Sequence, residues 1–122
     1  MAATAAPLPL AFTACCSPVT GGELDENAAA ALAKVFKALG DPTRVRLVSL
    51  IAASPDGEAC ICDLTAPVGL AQPTVSHHMK LLADAGLITR TQRGKWAYYR
   101  IVPEALAAAA RALAPVEAVA PA

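Results

Sequence analysis

The chain has 122 residues, a length suited to one domain, and its 10 basic and 10 acidic side chains cancel. It is 56% hydrophobic but only 4% aromatic, which points to a small helical domain built on Ala, Leu and Val. No apolar run approaches the roughly 20 residues needed to cross a bilayer, so a membrane-spanning role is excluded as an expectation.

Residues 1–22 read as a flexible arm, rich in Ala, Pro, Thr and Gly, free of charge and ending at Gly21-Gly22. Its one chemical feature is the adjacent pair Cys15-Cys16. The arm is apolar but lacks a basic start, and Pro7 and Pro9 break the run, so no secretory signal is expected. A cytoplasmic, reducing location follows as the expectation, with the cysteines present as thiols.

A domain is expected over residues 23–115. A first helix is predicted from about Asp25 to Leu39, with Leu32, Val35, Phe36 and Leu39 on one stripe and Gly40 as terminator. Asp41-Pro42 then reads as a cap followed by proline at the first helical position. The second helix carries Val45, Leu47, Val48, Leu50 and Ile51 and fades at Ser54-Pro55-Asp56-Gly57. Its Arg44 and Arg46 suit either a solvated or ion-paired face or the backbone of DNA.

A short extended piece is predicted into Cys62, then a short helix from near Asp63, closed by Pro67 and Gly69. The next stretch, Gln72 to Leu82, is predicted to be a helix with two unlike faces. At about 100° per residue, Val75, Met79 and Leu82 share one stripe with His78 at its edge, while Ser76, His77 and Lys80 lie opposite. Alone, such a pattern suits an ordinary amphipathic surface helix as well as a DNA reader. Two short helices joined by a glycine-containing turn make a helix-turn-helix, and this context favours the reader. Gln72, Thr74, Ser76, His77 and Lys80 are the candidate DNA-contacting residues on it.

After Gly86 the period changes. Leu87–Gln92 and Lys95–Ile101 are β-prone runs separated by Arg93-Gly94, a predicted hairpin. Trp96, Tyr98 and Ile101 are expected to feed the sheet and core. Arg93 and Lys95 at the tip are candidate phosphate or minor-groove contacts. Pro103 opens a last helix, through about Leu113, whose alanine-rich surface is expected to form a dimer interface with the first helix. Residues 116–122 read as a frayed tail. Residues 63–100 hold 5 basic and 2 acidic side chains, so the positive excess surrounds the candidate reader.

Five ordered motifs carry a resemblance: Phe36–Arg44, Cys60-Ile61-Cys62-Asp63-Leu64, Gln72–Leu82, Ala85-Gly86-Leu87-Ile88 and Arg93–Tyr99. Over about residues 30–105 the chain resembles the ArsR/SmtB family of metal-responsive repressors, most closely the arsenical-resistance branch. The resemblance implies a mainly α fold with a β-hairpin, a winged helix-turn-helix with an α-helical dimer interface. It implies a homodimer on double-stranded operator DNA, needing no cofactor for binding and released by a metal or metalloid. Two positions depart from the family pattern. Thr65 stands where well-known arsenic sensors carry a third cysteine, and Ala71 stands where serine is frequent.

Trivalent arsenic and antimony favour three sulfurs, and soft thiolates select soft ions. Cys60 and Cys62 supply two. The set is completed if the arm adds Cys15 and Cys16, a layout similar to some actinobacterial-type arsenic sensors. The expected metal site is therefore Cys15, Cys16, Cys60 and Cys62, with As(III) or Sb(III) as inducer. The alternatives are the same fold sensing Cd, Pb or Zn, or thiol oxidation. The last helix has no histidine for the site of related zinc sensors, and adjacent His77 and His78 point about 100° apart, which disfavours a shared metal. No nucleophile with a partner and no phosphate loop is present, so an enzyme is not expected.

Overall fold

The computed structural model describes Val19 and residues 22–114. The proposed arm, with Cys15 and Cys16, and the proposed tail lie outside these residues, apart from Val19 and Gly22. The chain order is α1 (Glu26–Leu39), α2 (Pro42–Ala53), a 3₁₀ turn (Pro55–Gly57), β1 (Glu58–Cys60), α3 (Ile61–Val68), α4 (Gln72–Asp84), β2 (Ile88–Arg93), β3 (Trp96–Ile101) and α5 (Pro103–Leu113). Among the described residues, no helix is long and apolar enough to cross a membrane.

Local chemistry accounts for most boundaries. The Asp25 carboxylate accepts from the Ala28 N–H at 2.7 Å and starts α1. Asp41 accepts from the N–H groups of Thr43 and Arg44 at 2.9 and 3.2 Å, and Pro42 occupies the first helical position of α2. Gly69 ends α3 at φ 70°, where its N–H donates to the Thr65 carbonyl at 2.9 Å; a side chain there would be strained. The helix α4 starts at Ala71 with no side-chain cap. That omission costs about 1 kcal/mol. It is outweighed by the helix's back: Val75, Met79 and Leu82 are fully buried, and each contributes about 1.5–3 kcal/mol.

The core joins Leu47 and Ile51 of α2, Leu64 of α3, the back of α4, and Leu87 and Ile88 at the start of the hairpin. Three strands form an antiparallel sheet in the order β1-β3-β2. In the register, Cys60 faces Tyr98, Glu58 faces Arg100 and Arg93 faces Trp96.

Two expectations need correction. The helix after the extended piece begins at Ile61 rather than near Asp63, so Cys62 lies in its first turn. The pairing of β1 with β3 had no sequence signal, since three residues carry no readable period. On the inward face of β3, Ala97 and Tyr99 are buried and Ile101 packs against the core; on the other face Tyr98 is partly buried against the core, whereas Trp96 is 43% exposed. The run Trp96-Ala97-Tyr98-Tyr99 is apolar at every position, so only strand register could decide which parity faces inward. In α5, Ala105, Ala108, Ala109 and Ala112 are buried within the protomer, where α5 meets α1; Ala107, Ala110 and Leu113 are left exposed.

Candidate nucleic-acid interface and thiol centre

The α3–turn–α4 unit and the β2–β3 hairpin flank an open cleft of about 500 Å³. Gln72, Ser76 and Lys80 line it from α4, and Arg90, Gln92 and Lys95 line it from the hairpin. Four of the expected DNA contacts thus share one cleft. Thr74 and His77 are exposed on α4 outside that lining. Arg90 and Gln92 were missed by sequence reasoning. Their signal was the two-residue period of β2, which puts them opposite Tyr99 and Ala97 and so on the side of the sheet that faces α4. Lys80 meets Asp84 at 3.0 Å one helical turn away. Both are well exposed, so the pair is worth a few tenths of a kcal/mol and yields readily to a phosphate.

Arg93 is placed differently from the other candidates. Its guanidinium donates to both oxygens of Glu58, at 2.9 and 2.7 Å, and lies 4.5 Å from the centre of the Tyr98 ring. Those hydrogen bonds hold the Glu58 carboxyl below its ordinary pKa and raise that of Arg93. Arg100 approaches the same carboxylate at 3.6 Å and donates to the Asp56 carbonyl at 3.0 Å.

Arg44 serves structure. Its Nε donates to the Ala38 carbonyl at 2.6 Å at the end of α1, and its Nη1 meets His78 Nδ1 at 3.0 Å on α4. Arginine can only donate, so His78 Nδ1 is the acceptor in this contact. His78 therefore packs at the helix edge as expected, and His77 is exposed. Arg46 donates to the Pro67 carbonyl at 3.0 Å and ties α2 to the end of α3.

Cys60 closes β1 and caps α3: its sulfur accepts from the Cys62 N–H at 3.4 Å. The two sulfurs are directly apposed, with the Cys62 thiol directed at the Cys60 sulfur. Cys60 is buried and Cys62 exposed. The Cys62 thiol titrates above its ordinary value, first because its proton is shared with Cys60, then through partial desolvation and the nearby negative charges of Cys60 and Asp63. Thr65 turns its hydroxyl to the Cys62 carbonyl at 3.4 Å. Among the described residues, no three His, Cys, Asp or Glu side chains converge as a metal site. The donors that do meet are two soft sulfurs, which suit a soft centre and not a hard cation.

The sequence profile of the bacterial regulatory protein, arsR family, matches residues 41–90. A putative arsenical resistance operon repressor ArsR2 of Halobacterium salinarum is 44% identical over 89 residues, covering 73% of this chain and 72% of that protein. The chain belongs to the ArsR family. The arsenic resistance transcriptional regulator ArsR1 of Pseudomonas putida is 46% identical over 70 residues, which cover 57% of this chain and about half, 53%, of its own length. Among solved structures, the AntR antimony-specific transcriptional repressor superposes with a TM-score of 0.61 at 31% identity, covering 73% and 79% of the two chains. A homodimeric winged helix-turn-helix domain from Mycobacterium bovis superposes with a TM-score of 0.60 at 27% identity, covering 73% and 82%. In ArsR-family terms, α3 and α4 are the helix-turn-helix and the β2–β3 hairpin is the wing. The fold is that of a DNA-binding regulator and not of an enzyme.

Proposed function

We propose that this chain is a homodimeric transcriptional repressor, released from its operator when trivalent arsenic or antimony is held by cysteine thiolates. Gln72, Thr74, Ser76, His77 and Lys80 read or brace the major groove, and Lys95 and Arg93 meet phosphate from the wing. The observation that carries the inducer is the direct apposition of the Cys60 and Cys62 sulfurs at the start of α3. Cys15 and Cys16 of the arm complete the three-sulfur demand, within one subunit or across two.

A ligand releases a repressor only if it binds the DNA-free conformation more tightly. Cys60 ends the strand β1, and Cys62 lies in the first turn of the helix α3 that packs on α4. Drawing both sulfurs toward a third donor moves α3, and with it α4. Two recognition helices in a dimer must match the spacing of two half-sites, so a small rotation lowers affinity. A family relative named as a cadmium resistance regulator homolog from Staphylococcus aureus, 40% identical over 73 residues, keeps cadmium as the rival input for an all-sulfur site.

The test is arsenite titration of the operator-bound full chain, followed by anisotropy. Cys60→Ser and Cys62→Ser retain DNA binding and lose release; Cys15→Ser and Cys16→Ser do the same. Wild-type response in all four variants would overturn the assignment.

A further inference from the structure

The strand β1 is three residues long and carries two kinds of chemistry. Cys60 is at its end and Glu58 at its start. Antiparallel register sets Cys60 opposite Tyr98 and Glu58 opposite Arg100. Directly opposed residues share a face of the sheet. On that face the Arg93 guanidinium covers the Tyr98 ring and grips both Glu58 oxygens. Cys60, Tyr98, Arg93 and Glu58 thus share one face of the sheet, with Arg93 reaching from the wing across Tyr98 to the strand that ends in Cys60.

This placement sets up a competition. A bidentate guanidinium–carboxylate pair uses the same two N–H groups with which arginine grips a phosphate. While Nη1 and Nη2 hold Glu58, Arg93 cannot offer that same end-on fork to an operator phosphate, and its charge is already paired. Glu58 is also the only carboxylate within ion-pair distance of Arg93 or Arg100 among the described residues. We propose that Glu58 competes with operator phosphate for Arg93, and that β1 carries this competition to the thiol pair. Glu58 is then a positioning residue that holds the wing cation in the free protein and surrenders it on DNA. The inference rests on the proposed DNA binding, and its second half rests on the proposed thiol input.

The experiment uses the full chain and a duplex of its own upstream operator, with Kd measured between 50 and 300 mM salt, ranges over which phosphate contacts register as a slope. Glu58→Gln, Arg93→Gln and the double variant are compared, with circular dichroism melts reporting folding. Glu58→Gln tightens binding about threefold, the scale of releasing one surface ion pair. It steepens the log Kd–log salt slope by about 0.9, one added phosphate contact. Arg93→Gln weakens binding, and adding Glu58→Gln to it changes nothing further. Equal or weaker binding by a folded Glu58→Gln protein, with an unchanged slope, would make Glu58 a mere brace and overturn the competition.

Arsenite is then added to wild type and Glu58→Gln. A smaller arsenite-driven fold change in Kd for the variant, at equal arsenite stoichiometry, supports the link from β1 to the wing. An equal fold change overturns that link. If arsenite releases neither protein, the thiol reading fails, and the salt slope alone decides the role of Glu58.

Discussion

At the scale of single residues, the thiol pair separates two kinds of inducer. Cys62 is held above the ordinary thiol pKa, first by the proton it shares with Cys60, so it carries a proton at neutral pH. Arsenous acid exchanges each hydroxyl for a thiolate and releases water, which takes up the thiol's own proton. Net proton release from a protonated Cys62 is therefore zero. Cadmium instead displaces that proton into solution. Release by arsenite is therefore expected to be flat between pH 6 and 8. Release by cadmium strengthens by about tenfold per pH unit for each proton displaced. Operator-anisotropy titrations at three pH values check this, and a steep arsenite profile would contradict the assigned protonation.

At the scale of elements, the recognition helix is held from its back and its side. Ala71 leaves its N-terminus uncapped. Ala71→Ser is expected to add about 1 kcal/mol of stability, visible as a rise of roughly 4–8 °C in Tm for a domain of this size. No rise would mean that serine cannot reach the N–H groups of the first turn. The lateral hold is Arg44, which joins the end of α1 to His78 of α4. His78→Ala removes an acceptor from a half-buried guanidinium and is expected to cost about 1–2 kcal/mol in urea unfolding. His78→Asn, which can present an oxygen where Nδ1 stood, restores most of it. His77→Ala leaves stability unchanged, because His77 is exposed, and affects operator affinity alone.

At the scale of the whole molecule, zero net charge conceals a polarised chain, with the positive excess on the wing, which carries Arg90, Arg93, Lys95 and Arg100. Operator affinity is expected to fall steeply as salt rises, despite a sequence pI of about 6.7. Removing residues 1–22 is expected to leave the melting transition and the operator Kd within about twofold of the full chain, since no described core residue is lost. Arsenite-driven release is lost. An unchanged arsenite response in the truncated protein would exclude Cys15 and Cys16 from the site.

Much of this was legible in the sequence because it is local. Asp25, Asp41, Gly40 and Gly69 mark helix boundaries within a few residues of themselves. The stripe Val75, Met79 and Leu82 follows from helical period alone. The five ordered motifs placed the family, and the Cys60-x-Cys62 spacing put two thiols at the start of α3. What the sequence could not decide depends on register and on contacts between distant segments. Trp96, Tyr98 and Ile101 were expected to feed the sheet and core, but the pairing of β3 with β2 and β1 turned Ala97 and Tyr99 inward and left Trp96 exposed. Arg44 and His78 are 34 residues apart, and Glu58 and Arg93 are 35 apart. No periodicity links such pairs; only the packed fold brings them within hydrogen-bonding distance. It also turns a wing arginine from a free cation into one already held by a carboxylate.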